Sequence, residues 1–372
     1  MLLSIGIIAL AMIVIWKASD GFEAASQYIG RNLSDGVRGA TINAIGSSMP
    51  ELFTTFIGLV ALHNTDGFAF GIGTTAGSAI FNAMIIPAVV IIAVIAKKLT
   101  TGVTLSRKVI LRDGLSLIVA ELILIFLISG NTLSWWHGLI LMLTYLAYIV
   151  VVFRTMGKNE EEEEEGDDDS EINEPTKGVL LSILTLDLEG VFHRKEVNSS
   201  NSWILLIVSM VIIGLACAGL VDSCEKLAEG LGVAPYFIAV ILASAATSVP
   251  DTIISVRDAF DGEYDDAVAN ALGSNIFDVC FALGLPLFIY TLAYGDITMN
   301  AETIVHVAEL RGMLLVLTIA TFLVFLGSRT LKMIHGLLLF VFYVVFTFYV
   351  VGRAYSHEWT EPIAQFFQNL FL

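Results

Sequence analysis

Glu51 and Asp251 lie inside otherwise apolar stretches, and no Lys or Arg falls within one helical turn of either in sequence. An ionisable group inside a membrane-length apolar segment costs about 3 kcal/mol on insertion scales, and more without a partner. Each of these acids therefore needs a cation or a proton. Each also follows a proline, Pro50 or Pro250, and a proline inside a helix removes a backbone hydrogen bond and clashes with the preceding turn. The predicted break frees carbonyls around Ala44 and Ile45 in one place and around Ser244 and Ala245 in the other. With the hydroxyls of Ser47, Ser48, Thr247 and Ser248, these are hard oxygen ligands beside a carboxylate, an environment that suits sodium and calcium. A plain kink with hydroxyls bonded back to their own helix accounts for a single such motif. Two at matching places, each ending in a carboxylate, point to a binding site.

A second motif follows each first one. In Gly77-Ser78-Ala79-Ile80-Phe81-Asn82 and Gly273-Ser274-Asn275-Ile276-Phe277-Asp278, the serine and the Asn or Asp are four apart and share a helical face. The small residues Gly71, Gly73 and Gly77, and Ala267, Ala269, Ala271 and Gly273, are typical of close helix packing. Asn82 and Asp278 fit packing less well, because an amide and a carboxylate in apolar surroundings need specific partners; both are expected in the same cavity as Glu51 and Asp251. Asp20, Glu23, Asp222 and Glu225 lie near span ends, where solvated or capping roles are expected.

The elements that must carry these residues are membrane helices. The chain has 372 residues, 56% of them hydrophobic, and a mean hydropathy of +0.81, more apolar side chain than one soluble core of this size holds. Crossing a bilayer takes about 20 helical residues, and apolar stretches of that length recur at residues 2–28, 37–62, 68–96, 108–129, 132–153, 202–229, 234–257, 265–293, 303–327 and 331–352. The first opens at Met1 without a basic leader segment or an A-x-A cleavage site, so it is expected to be a span rather than a removable signal. Cys217, Cys224 and Cys280 all fall in spans without CxxC spacing, and the histidines are scattered, which argues against a zinc site or a disulfide framework.

Numbering the spans one to ten, the odd-numbered connections carry Arg31, Arg38, Lys97, Lys98, Arg107, Lys108, Arg112, Arg154, Lys158, Lys177, Arg194, Lys195, Arg257, Arg329 and Lys332, with Arg311 and Arg353 as exceptions to the pattern. The positive-inside rule then makes the odd connections cytoplasmic and puts both termini outside. The formal charge of −17 is concentrated: Glu160–Glu165, Asp167–Asp169, Glu171 and Glu174 supply eleven acids in one loop, and without them the charge is −6. A run of this kind repels itself and reads as a solvated cytoplasmic linker rather than a calcium loop with spaced ligands. Residues 178–192 could form a short helix at the membrane surface.

The motifs also show that the chain duplicates itself. Asp20…Glu23…Gly30 recurs as Asp222…Glu225…Gly232 at an offset of 202, Ser47–Glu51 as Thr247–Asp251 at 200, and Gly77–Asn82 as Gly273–Asp278 at 196. Five spans precede the acidic loop and five follow it. An odd count makes the second copy enter the membrane from the opposite side, a transporter design that lets a central site face either side in turn. The expected architecture is an all-α polytopic membrane protein of ten transmembrane helices in two inverted-topology five-helix repeats. Residues 1–154 form the first repeat, 155–201 the acidic linker, 202–353 the second repeat and 354–372 a C-terminal tail.

The paired motifs resemble the two alpha repeats of the calcium/cation antiporter superfamily, over about residues 40–90 and 240–290, and are most similar to those of the potassium-dependent sodium/calcium exchangers, which use Glu in the first repeat and Asp in the second. The resemblance implies that Glu51 and Asp251 ligate calcium or sodium and that Ser47, Ser48, Thr247, Ser248, Ser78, Ser274, Asn82 and Asp278 complete the sites. The chain departs from the family pattern at Ala246, where glycine is usual, and at Ser47, where threonine is common. It has two extra positions between Gly30 and Glu51, and a connection at His63–Phe70 that is four residues longer than its counterpart. The Gly-Asn-Ala-Ala-Glu-His-type motif of proton/calcium exchangers is absent.

The function expected is secondary-active antiport of Ca2+ for Na+, with K+ co-transport as an option, by alternating access, with no enzymatic role and no cofactor. The partners are small inorganic cations and the lipid bilayer, not nucleic acid, and the expected location is the plasma membrane. A proton-coupled cation antiporter, a cation channel and an intramembrane hydrolase built on paired carboxylates are the competing readings.

Overall fold

The structure is a computed structural model that describes residues 1–29, 31, 44–156, 179–192 and 198–371. It is almost entirely helical. The first half comprises α1 (Leu2–Ile29), α2 (Ala44–Ser47), α3 (Met49–Leu62), α4 (Asn64–Ala96), β1 (Val103–Thr104), α5 (Arg107–Leu127), β2 (Thr132–Leu133) and α6 (Trp135–Met156). Two short linker helices, α7 (Val179–Leu184) and α8 (Leu188–Phe192), lead into α9 (Ser199–Leu231). Then come α10 (Pro235–Ile238), a π-helical turn Ala239–Ala243, α11 (Ser244–Thr247), α12 (Val249–Asp261), α13 (Tyr264–Phe277), a second π-helical turn Asp278–Ala282 and α14 (Leu283–Tyr294). The chain finishes with β3 (Ile297–Thr298), α15 (Ala301–Gly327), β4 (Thr330–Leu331), α16 (Met333–Ala354) and α17 (Glu361–Phe371).

Seven helices among the described residues are long and apolar enough to cross a membrane, and the bent run Pro235–Asp261 makes eight. The remaining two expected spans are present as helices but fall short on length and composition. Residues 37–62 are described only from Ala44 and are interrupted at Ser48, and α5 carries Arg107, Lys108, Arg112, Asp113 and Glu121 within 21 residues. The acidic run 160–174 lies outside the described residues. The short helix expected over 178–192 is two helices, turned at Leu186 (φ 53°), with Leu188 of α8 buried against α1 and α9. Burial of the Glu189 carboxyl on α8, with the charges of Asp187 and Asp20 beside it, pushes its pKa up. Asp20, expected to be solvated, pairs with Arg257 at 3.2 Å and with Lys17 at 3.2 Å.

Two tiny sheets report the relation of the halves. β1, in the connection after the third span, pairs antiparallel with β4, in the connection after the ninth (Val103↔Leu331); β2, after the fourth, pairs with β3, after the eighth (Leu133↔Ile297). Loops that correspond in sequence, β1 with β3 and β2 with β4, thus sit at opposite ends of the bundle. Only copies of inverted topology place them so.

At the centre, α4 and the α13–α14 run are buried almost throughout residues 67–80 and 267–283. Close approach requires Gly77: a Cβ there would meet the Val240 carbonyl oxygen at 2.5 Å and Ser244 Cβ at 2.9 Å. On the outside, Phe126, Leu215 and Phe348 are exposed apolar side chains of the kind that a bilayer covers. The C-terminal tail is not a free end: α17 packs on α15, with Phe367 and Phe371 against Gly312.

Candidate ion-binding site

Both proline motifs break their helices in the same way. Ser48 (φ −95°, ψ 8°) and Ser248 (φ −80°, ψ 1°) sit in the bridge region between helix segments, and Pro50 and Pro250 occupy the first turn of the following helix, where a missing N–H costs nothing. The break in the second copy bends the span by 40°. Glu51 and Asp251 therefore stand in the first turn of α3 and α12, facing the middle of the molecule, and both are fully buried.

Of the carbonyls expected to be freed, those of Ala44 and Ser244 are engaged. The Ala44 oxygen accepts the Ser48 N–H (3.2 Å) and the Ser47 hydroxyl (3.3 Å), and the Ser244 oxygen accepts the Ser248 N–H (3.0 Å) and the Thr247 hydroxyl (3.1 Å). Both lone pairs of each are engaged. Proline withdraws its donor from the residue four earlier, so the break also deprives Gly46 and Ala246, two positions beyond Ala44 and Ser244. The Ser244 hydroxyl bonds back to the Val240 oxygen at 2.6 Å.

The second motifs deliver their side chains to the same place. Each acid accepts a hydrogen bond from the serine of its own copy: Ser78 Oγ to Glu51 Oε1 at 3.1 Å, and Ser274 Oγ to Asp251 Oδ1 at 2.8 Å. Across the copies, Asn82 Nδ2 donates to Asp251 Oδ2 at 3.0 Å, Ser78 and Ser248 hydroxyls meet at 2.8 Å, and Ser47 and Ser274 hydroxyls at 3.5 Å. Asn275, not anticipated as a participant, donates to the Ala79 oxygen at 3.0 Å and ties the central helices together. Glu51, Asp251, Asp278, Asn82, Ser47, Ser48, Ser78, Thr247, Ser248 and Ser274 are all buried. Apart from Thr247, which bonds the Ser244 carbonyl of its own helix, and Ser48, whose buried hydroxyl has no hydrogen-bond partner among the described residues, the bonds above and the Asp278 and Asn82 contacts with Ser78 join them in one network.

The symmetry fails at one pair. Asn82 can donate to Asp251, but its counterpart Asp278 has no N–H to give Glu51 and turns to Ser78 instead, at 2.8 Å. Ser78 Oγ, which also receives Asn82 Nδ2 at 3.4 Å, thus touches two carboxylates with a single hydroxyl hydrogen. Glu51 Oε2, Asp278 Oδ1 and Asn82 Oδ1 are buried with no hydrogen-bond partner. An oxygen-only donor set, with surplus acceptors on the Glu51–Asp278 side, is short of positive charge in a place that water does not reach. A hard cation, or a proton on one carboxyl, removes the shortage. Among the described residues no three His, Cys, Asp or Glu side chains form a metal cage on their own; here hydroxyls and an amide stand between the acids.

The sodium/calcium exchanger protein profile matches residues 3–154 and 201–352, one match to each half. The chain belongs to that family. Its members are exchangers, transporters rather than enzymes. Human sodium/potassium/calcium exchanger 3 is 41% identical over 121 residues, which is 32% of this chain and 17% of that protein. Human sodium/potassium/calcium exchanger 5 is 27% identical over 341 residues, covering 72% of this chain and 65% of that one. The chain thus spans less than a fifth of the first relative's length. Among solved structures, an H+/Ca2+ exchanger, CAX, superposes with a TM-score of 0.63 at 13% identity, covering 99% of this chain and 91% of that one. The sodium-calcium exchanger NCX_Mj superposes with a TM-score of 0.54 at 21% identity, covering 92% and 97%. At these identities the superpositions establish the shared fold.

Other buried charges of the chain were not singled out from sequence. Asp113 on α5 is gripped by Arg112 at 2.6 and 2.8 Å and by the Tyr148 hydroxyl of α6 at 3.2 Å. Glu309 on α15 is gripped by Arg353 at 2.9 and 2.8 Å and by the Tyr349 hydroxyl of α16 at 2.9 Å. The two acids are 196 positions apart, the offset of the second motif, so this clamp is duplicated too. The signal is an acid inside an apolar span. It is hard to read because the arginine comes from the adjacent position in one copy and from the next helix in the other.

Proposed function

We propose that this exchanger carries calcium one way and sodium the other by alternating access, with Glu51 and Asp251 as the central ligands. Ser47, Ser48, Ser78, Asn82, Thr247, Ser248, Ser274 and Asp278 complete the ion sites. The observation that carries the reading is that the two acids, one from each inverted copy, meet in a single buried oxygen network that lacks positive charge. Calcium takes six to eight oxygens and tolerates irregular geometry, which suits carboxylates spaced by hydroxyls. Exchange follows from cost: an unneutralised cluster of buried acids is expensive to occlude, so the carrier closes around ions and not without them.

Charge counting extends the proposal to potassium. With Glu51, Asp251 and Asp278 ionised, calcium leaves one negative charge, and a monovalent cation on the Glu51–Asp278 side balances it. The names of the 41% identical and 27% identical relatives include potassium, which agrees with that count. The distribution of Lys and Arg supports a cytoplasmic side for the odd connections and the acidic linker, with both termini outside, and the membrane proposed is the plasma membrane. The test is calcium uptake into liposomes holding purified protein, with sodium, potassium and pH gradients imposed separately. Uptake that stops when choline replaces sodium, and that is lost in Glu51→Gln, agrees with the proposal. Uptake driven by a pH gradient in the absence of sodium overturns it in favour of proton coupling, a second reading that the shared Ser78 hydrogen supports, since a proton on Glu51 or Asp278 also resolves that contact.

A further inference from the structure

One more acid is buried away from this network and from the two arginine clamps. Glu121, in the middle of α5, has no exposed surface; its Oε1 accepts the Thr318 hydroxyl of α15 at 2.6 Å, and its Oε2 has no hydrogen-bond partner among the described residues. Among the described residues no Lys, Arg or His bonds it. The Thr321 hydroxyl, one turn beyond Thr318, is also buried without a partner. Thr318 and Thr321 line a small cavity whose other walls include Gly114 of α5, Ala83 of α4 and Leu272 of α13. Ala83 follows Asn82 and Leu272 lies two residues before Ser274, so the cavity backs directly onto the ion site.

We propose that Glu121 is a proton-binding site of the carrier, and that loading and unloading of its proton is linked through this cavity to the ion load next door. A lone carboxylate inside a bilayer is kept only where a cation or a proton neutralises it. Two considerations select the proton. A sodium or potassium ion needs several oxygen ligands, whereas the cavity beyond the two threonines is walled by Ala83, Gly114, Leu272, Phe322 and Phe325. A proton needs one oxygen, and Glu121 Oε2 is free to hold it.

The titratable groups on the neighbouring elements are otherwise occupied or distant. Arg112 is committed to Asp113, and Arg311 of α15 to the carbonyls of Ile125 (3.3 Å) and Phe371 (2.6 Å). Asp265 of α13 accepts the Ser106 N–H at the bundle's end, and Asp278 of the π-helical turn bonds Ser78. Tyr148 of α6 bonds Asp113, and Tyr145 packs edge-on against Phe277. The π-helical turn that carries Asp278 packs against α5 and holds the buried Cys280 two residues further on.

The site can be read without transport, by infrared difference spectroscopy of the purified full-length protein across a pH titration. The expected result is a carbonyl stretch of a protonated carboxylic acid that is missing from Glu121→Gln, fades as pH rises, and changes when calcium is added. The absence of any such Glu121-dependent band overturns the proposal. Thr318→Val, which keeps the acid and removes its hydrogen bond, is expected to shift the band and its titration midpoint; an unchanged band counts against the site. The linkage to transport rests on the exchange reading and has its own measurement. In liposomes, Glu121→Gln is expected to keep calcium flux and to lose part of the parent's pH dependence, whereas superimposable pH profiles overturn the linkage. Failure of sodium to drive any flux would remove the exchange reading and leave the infrared result standing.

Discussion

At the residue scale, the function turns on one difference between two nearly equivalent positions. Asn82 donates to Asp251, whereas Asp278, its counterpart, has no N–H to offer and Glu51 Oε2 is left without a donor. Replacing Asp278 with Asn removes one negative charge and supplies the missing N–H. Asp278→Asn is expected to retain sodium-driven calcium flux and to abolish any stimulation by potassium, measured by varying potassium at fixed sodium. A mutant that still needs potassium would place the monovalent site elsewhere. Ser78→Ala removes the hydroxyl that touches both Glu51 and Asp278; losing a hydrogen bond to a charged group costs about 1.5 kcal/mol, so the calcium concentration for half-maximal uptake is expected to rise roughly tenfold. An unchanged concentration would mean that Ser78 only packs. These residue types and their pairing across the repeat were legible in the sequence, because helix packing alone rarely places identical polar chemistry at fixed offsets in apolar surroundings. That the Ala44 and Ser244 carbonyls are engaged was not legible, because it depends on where the Ser47 and Thr247 hydroxyls bond.

At the element scale, the helices carry features that local pattern did not disclose. The Asp113 clamp holds the fourth helix of its repeat to the fifth through Tyr148, its arginine lying on the same helix, whereas the Glu309 clamp does so through both Arg353 and Tyr349. Glu309 also accepts Gln368 of α17 at 2.8 Å, so the tail is anchored there. Removing one partner of a buried ion pair strands the other, at a cost of about 3–5 kcal/mol. Glu309→Gln is therefore expected to lower the midpoint of thermal unfolding in detergent clearly, while Arg257→Gln, which breaks an exposed pair with Asp20, is expected to leave it nearly unchanged. Equal midpoints for Glu309→Gln and the parent would show the clamp to be neutral. Between α3 and α4, His63 adopts φ 58° and ψ 156°, where the corresponding turn after α12 uses Gly262 at φ 93°. A β-carbon is disfavoured there, so His63→Gly is expected to stabilise by about 1 kcal/mol, read as a raised unfolding midpoint.

At the scale of the whole molecule, the inverted arrangement makes a prediction that needs no ion. Cysteines introduced at Thr104 and at Thr132, both exposed, lie at opposite ends of the bundle, and Thr298 shares the end of Thr132 through the β2–β3 pair. The native cysteines Cys217, Cys224 and Cys280 are buried and free, so they leave the background low. In sealed vesicles, an impermeant thiol reagent is expected to label Thr132→Cys and Thr298→Cys from one side and Thr104→Cys from the other. Labelling of Thr104→Cys and Thr298→Cys from the same side would contradict the inversion. Which of those sides is the cytoplasm tests the positive-inside assignment in the same experiment.

The sequence by itself determined that the chain is a duplicated helical membrane protein with an acid of each copy placed near a proline break, since apolar length, spacing and repetition are properties of the chain read in one dimension. Only the tertiary structure decided that Glu51 and Asp251 share one network, that Asp278 leaves a donor missing beside Glu51, and that Glu121 stands alone against Thr318. Each of those facts is a contact between helices far apart in the chain, fixed by which faces meet when two oppositely oriented copies pack together.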